Sequence, residues 1–214
     1  MKSELISGAR IPDSALARKL TEFVRDREND LLFYHSVRVY FWGALAGRRK
    51  RLCFDLELLY AAALFHDIGL TPHYGNSQRR FEVDGANAAR EFLSQEGISE
   101  AEIEIVWHAI AFHTTPGIPE FMQPEVALLQ VGAGMDVAGR NYDQYPEAER
   151  HAVIAAFPRE DDFEHQIIDA FYCGMKHRPD STFGTFNDDV LAFKDPAFRR
   201  MDLCNIVLGS PWKG

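Results

Sequence analysis

The stretch Leu64-Phe65-His66-Asp67-Ile68-Gly69 sets an imidazole beside a carboxylate at the end of an otherwise apolar run. Such neighbours are costly to bury without a partner. Successive helical residues point about 100° apart, so both can reach one ion only near a helix end, and Gly69 fits such an end. His35, within Leu31-Leu32-Phe33-Tyr34-His35-Ser36-Val37-Arg38, and Asp136, within Gly132-Ala133-Gly134-Met135-Asp136-Val137, are further polar residues in core-facing runs. Gly132 and Gly134 weaken a helix by up to about 1 kcal/mol each, which suits positions that another backbone or a ligand approaches closely. Together His35, His66, Asp67 and Asp136 make a set of two imidazoles and two carboxylates. This chemistry suits one divalent transition metal per chain (Zn, Fe, Mn, Co or Ni), with coordination positions left open for water. The lack of thiolates argues against a purely structural zinc.

The order His35, then His66-Asp67, then Asp136, with separations of 31 (35 to 66) and 69 (67 to 136), resembles the signature of the HD superfamily of metal-dependent hydrolases. Phe65-His66-Asp67-Ile68-Gly69-Leu70-Thr71, the run from Arg80 to Arg90 and Ala109-Ile110-Ala111-Phe112-His113-Thr114-Thr115 are similar to its cyanamide hydratase-like branch, over about residues 30–175. The resemblance implies an all-α helical bundle, here taken as one domain over 1–214. It also implies water activated by the metal for attack on a small soluble substrate, cyanamide or nitrile-like. An HD-type phosphohydrolase acting on a nucleotide or small phosphate ester is the alternative. A non-catalytic ligand-binding HD module is a second, against which the intact set of four residues speaks.

Around the four, Asp67 is expected to accept a proton from water through an oxygen free of the metal, and His113 or His73 to return one. In binuclear members of the superfamily two extra histidines hold a second metal. His108 and His113 stand five residues apart and diverge by roughly 140° on a regular helix, so they are poorly placed to share an ion. His108 divides evenly between the site and the core. Arg38, one helical turn after His35, would clamp an anionic substrate or pair with an acidic neighbour. Thr71 and His73, just past the His-Asp pair, are the other substrate-binding candidates, and Arg79 and Arg80 are weaker ones. A phosphate beside two carboxylates needs compensating cations, and few are offered here. The electrostatics therefore favour a neutral or weakly charged substrate.

The elements that must position these residues read as helices, with apolar residues recurring at steps of three and four, as in Leu16, Leu20, Phe23 and Val24. The spacing predicts helices near 14–28, 30–47, 55–68, 84–96, 99–113, 120–139, 146–157 and 161–177, with a shorter one near 187–193. Ser14, Asp30, Asp55, Ser99 and Asp161 are the expected N-caps, Ser99 with Glu102 as a capping box, and Gly69 and Gly97 mark ends. Asp84 is read as a cap too. The 214 residues carry a net charge of −9, and Arg48 to Arg51 form the only tight basic cluster, so nucleic acid is not an expected partner. Three scattered cysteines suggest neither a disulfide framework nor a thiolate metal site. No stretch approaches the roughly 20 apolar residues of a membrane span, and the reading is a cytoplasmic protein, with a homo-oligomer left open.

Overall fold

The computed structural model describes residues 5–211. Among them, α1 (Ala15–Arg25), α2 (Asp30–Arg49), α3 (Leu56–Phe65), α4 (Phe81–Gln95) and α5 (Glu100–Phe112) are followed by α6 (Pro124–Ala138), α7 (Glu147–Ala156), α8 (Phe163–Met175), α9 (Asn187–Lys194) and α10 (Leu203–Leu208). The fold is all-α. Its one departure is a two-residue hairpin, β1 (Leu5–Ile6) against β2 (Ala9–Arg10), turned through Ser7 and Gly8 with φ of 48° and 85°. Two positive φ values in a two-residue turn match the twist of paired strands, which is why so short a segment closes.

Capping chemistry sets several boundaries. Ser14 accepts from the Ala17 amide at 2.9 Å, Asp55 accepts from the Glu57 and Leu58 amides, and Ser99 with Glu102 forms the expected capping box. Helix α2 starts from Asn29, whose side chain accepts from the Leu32 amide, and this leaves Asp30 in the first turn to face the helix dipole. Asp162, not Asp161, precedes α8, and it makes no side-chain cap.

Helix α2 is buried nearly all round, with 15 of its 20 residues inside, which makes it the axis of the bundle. α3 lies beside it, more apolar and buried from Leu58 to Phe65, while α1, α4, α5 and α6 close around the pair. α2 and α6 meet in a close seam. A Cβ on Gly132 would stand 2.2 Å from the Val39 carbonyl oxygen, and one on Gly43 would stand 2.7 Å from that of Leu128. The two helices therefore meet backbone to backbone, and Gly132 is one of the close approaches that its sequence context implies. Asp136 lies one turn beyond Gly132, and His35 one turn before Val39, so this crossing brings the two functional positions together.

A second close pass ends α3. The chain leaves the α-helix after Phe65, three residues earlier than the periodicity predicts, and tightens into a 3-10 turn over Ile68–Leu70. A Cβ on Gly69 would lie 2.0 Å from the Phe81 carbonyl oxygen, so the turn is pressed against the start of α4. Arg178 fastens it from behind. Its buried guanidinium donates to the carbonyls of Gly69 (2.7 Å), Arg79 (3.0 Å) and Gly174 (3.0 Å) and to the Asp84 carboxylate. Asp84 is thus a hub that also takes the Ser77 hydroxyl, in place of the expected cap.

No described helix is long and apolar enough to cross a membrane. The glycine seam yields a test. Gly132→Ala is expected to destabilise the protein by about 1–3 kcal/mol through overpacking against Val39, although alanine is the better helix former. Chemical denaturation reads it, and an unchanged midpoint would mean that α2 and α6 can part freely.

Candidate metal centre

His66 is the residue after α3, so its ring swings out of the helix, and its Nδ1 reaches the Ala63 carbonyl at 2.7 Å. A carbonyl only accepts, so Nδ1 carries the hydrogen and Nε2 keeps its lone pair. His113 ends α5 in the same way, with Nδ1 donating to the Ile110 carbonyl at 2.7 Å. His35, in the first half of α2, donates from Nδ1 to Asp136 Oδ2 at 2.7 Å. All three rings therefore present a bare Nε2.

These nitrogens turn towards Asp67. His35 Nε2 and His66 Nε2 lie 3.2 Å apart, at 3.4 and 3.3 Å from Asp67 Oδ2, and His113 Nε2 lies 3.7 Å from Oδ1. The Asp67 side chain is buried, and neither of its oxygens has a hydrogen-bond partner. Lone pairs and an anionic carboxylate so arranged repel one another, and a cation among them resolves the conflict. His35, His66 and Asp67 are the group able to hold one, with ligand atoms all within 4.8 Å of each other. Burial pushes the His66 pKa down to about 3 against the pull of Asp67, so this imidazole is neutral and free to coordinate at physiological pH.

Asp136 stands one step further back than its place in the sequence signature implies. Oδ1 accepts from Arg38 Nε (2.9 Å) and Trp42 Nε1 (2.8 Å), and Oδ2 accepts from Arg38 Nη2 (2.9 Å) and His35 Nδ1 (2.7 Å). Four donors occupy both oxygens, so the carboxylate orients His35 and does not itself face the cluster. Burial alone would raise its pKa, but the His35 hydrogen bond and the Arg38 charge outweigh this and hold it well below the usual carboxylate range. Arg38 is correspondingly no substrate clamp. Its guanidinium is buried, and the donors left after Asp136 go to the Phe157 and Pro158 carbonyls.

The remaining candidates separate cleanly. His113 and Thr114 line the same cavity as the cluster, about 430 Å³ in volume. Thr71 is buried with its hydroxyl on the Ile68 carbonyl (2.7 Å), which caps the 3-10 turn, and it does not line that cavity. His73 is exposed with its ring against Tyr74, so it is no roof to the cavity and no proton donor to it. His108 is half-buried between Trp107 and Phe112 and is not part of the group gathered around Asp67. Arg79 pairs with Asp84 and Arg80 with Glu82.

Sequence reasoning gave no role to Glu82 or Glu28. Glu82 is fully buried and takes hydrogen bonds from Arg80, Thr114 and Asn187. Its burial favours the neutral form, yet Arg80, His113 and Thr114 together lower the pKa, so it is an anion behind the cavity wall. A carboxylate between Phe81 and Val83 at a helix start was the available signal. Glu28 is buried too, with Oε1 unpartnered and Ser36 Oγ 3.5 Å from Oε2. Desolvation, then the nearby Asp67 charge, raises its pKa well above the ordinary value.

The segment that carries this geometry, from the start of α2 to the end of α7, decides the relationship. Residues 32–157 match the HD domain family. The chain belongs to that family. HD domains are generally metal-dependent hydrolases that bind divalent metals, and the buried His-His-Asp cluster of this HD domain is compatible with such a metal. No curated protein matches the chain. The walls of the HD cavity continue beyond the matched span, with Ile168, Phe171, Phe186 and Val190 lining it together with the cluster.

Two measurements follow. Arg38→Ala is expected to cost about 3–5 kcal/mol in stability, because it strands a buried carboxylate; a full-strength fold with only a raised KM would return Arg38 to the substrate. Glu28→Gln is expected to stabilise the metal-free protein at pH 8. A carboxyl whose folded pKa is raised opposes folding only above its unfolded pKa, so the gain should vanish near pH 4. Thermal melts of both proteins at the two pH values check the sign.

Proposed function

We propose that the chain is a metal-dependent hydrolase or hydratase in which His35, His66 and Asp67 hold one divalent transition metal and His113 stands beside it as the proton-handling residue. The observation that carries this is the Asp67 carboxylate, buried, without a hydrogen bond, and ringed by three Nε2 atoms whose rings are each pinned through Nδ1. When bound, the metal supplies Lewis acidity, lowering the pKa of water and polarising the substrate.

The protein's own groups do the rest. Asp136 and the Ala63 carbonyl hold Nδ1 of His35 and His66, so Nε2 of each ring is the atom turned to the metal position. The ionised Glu82 stands at the Arg80 and Thr114 end of the site, bonded to both. His113 Nε2 can then take a proton from the attacking water and return it to the attacked atom, with Asp67 Oδ1 as its neighbour. The predominantly apolar wall of Phe81, Ile168, Phe171 and Val190 excludes competing water and strengthens these interactions.

A non-phosphate substrate fits this site better than a phosphate ester. Arg38, Arg79 and Arg80, the cations that a phosphate would have needed, are each committed to a carboxylate. Water added to a nitrile-like carbon, or hydrolysis of a comparably uncharged bond, asks for no such clamp. The resemblance to the cyanamide hydratase-like branch points the same way. The cavity is far larger than cyanamide itself requires, so the reacting group belongs to a larger molecule.

His66→Ala and Asp67→Ala are each expected to abolish metal binding and turnover. The metal-free Asp67→Ala protein should melt no lower than the metal-free parent, since the substitution removes an unpaired buried charge. Elemental analysis, melting curves and a screen of the metal-loaded protein against small nitriles and phosphoesters test the reading together. Stoichiometric metal in either variant would overturn the ligand assignment, and selective phosphoester turnover would overturn the substrate class.

A further inference from the structure

Among the described residues that line the cavity, Arg140 is the one Lys or Arg, and it is exposed to solvent, in a chain whose net charge is −9. Its position is built. Helix α6 ends at Gly139, which takes a left-handed φ of 63°, and the Arg140 amide turns back to the Gly134 carbonyl at 3.0 Å while that of Gly139 bonds Met135. This closing motif folds the chain back along the helix it has just left. The Arg140 stem then lies over Gly134, where a Cβ would stand 2.9 Å from Arg140 Cδ. Gly134 is thus the second close approach implied by its sequence context, and the notch it leaves seats the arginine on the cavity.

What Arg140 lacks is a protein partner. Among the described residues its guanidinium makes no hydrogen bond or ion pair. The other polar residues of that wall already donate inward: Thr114 and Asn187 to Glu82, and Gln130 to the Thr115 carbonyl at 2.7 Å. Asp189, the acid at the same rim, is taken by Arg200 at 2.5 Å. The lining of the same cavity is otherwise largely apolar and includes Phe186, Val190, Phe171 and Ile168.

Resting on the catalytic reading above, we propose that the substrate is a small molecule with an apolar, ring-sized body and a single carboxylate, the carboxylate bound by Arg140 at the rim and the reacting group set at the cluster. A guanidinium offers two parallel N–H donors that match the two oxygens of a carboxylate. One positive charge balances one negative charge, whereas a dianionic phosphate would be left half-compensated beside Asp67. A cavity of about 430 Å³ suits a body of this size.

The test compares binding of 3-phenylpropanoate with that of its neutral amide, 3-phenylpropanamide, to the full-length metal-loaded protein by calorimetry. The carboxylate is expected to bind about tenfold more tightly or better, and Arg140→Gln should erase that preference while Arg140→Lys restores part of it. Equal affinities in the parent would overturn the proposal. So would a preference that survives Arg140→Gln, because the carboxylate would then be reading the metal. The metal content of the same preparations tests the catalytic reading separately, since the loss attributed to Arg140 is a difference between two proteins of equal metal load.

Discussion

Four hydrogen bonds converge on the Asp136 carboxylate, and most of the centre's geometry depends on them. They tie α6 to three residues of α2, at positions 35, 38 and 42, which are successive turns of one helix face. Such an arrangement is possible only because Gly132 and Gly43 let the two backbones touch; side chains at the crossing would hold the carboxylate out of reach. A buried ion pair of this kind adds little net stability beside a well-packed apolar equivalent, but it is costly to break and tolerates few alternatives. Its value here is directional. It fixes which nitrogen of His35 is bare and where that nitrogen points.

The other two imidazoles reach the same state by a different route. Both close helices, where the carbonyl three residues back has a lone pair left for the ring. A helix end thus provides an orienting acceptor and a change of chain direction at once. The tight turn after His66, held by Gly69 and by the Arg178 guanidinium, keeps Asp67 inside, although its carboxylate gains no hydrogen bond there. The fold bears an electrostatic strain at this point that a cation relieves.

Much of this was legible in the sequence, and the parts that were not have identifiable causes. Periods of three and four located the helices, and Ser14, Asp55 and Ser99 announced three starts correctly, because capping is local chemistry. His35, His66 and Asp67 could be picked out as polar residues in apolar runs. Whether Asp136 faces the ion or stands behind His35 depends on what else reaches it, and Arg38 and Trp42 reach it through packing that no spacing encodes. Arg38 illustrates the ambiguity: one turn from His35, it fits equally a substrate clamp and a salt bridge, and the buried acid decides for the latter. Thr71 and His73 follow the His-Asp pair closely in sequence, but the 3-10 turn directs one into its own backbone and the other to solvent. Arg178 was unreadable because the partners that define it lie 94 or more residues away, and Glu82 showed only as a carboxylate between apolar neighbours, its partners Thr114 and Asn187 lying 32 and 105 residues off.

The division of the cavity between two stretches of chain has a consequence for how such a protein can change. The groups assigned to the cation and the proton come from α2, the end of α3 and the end of α5, all within the matched residues 32–157. Much of the facing wall comes from α8, α9 and the residue before α9, beyond that span. Mutations there can reshape what the chamber admits without disturbing the pinned imidazoles. The shape of the far wall can therefore change separately from the pinned imidazoles, whereas the charge at the rim, carried by Arg140, sits at the end of the same helix as Asp136 and is tied to the crowded core.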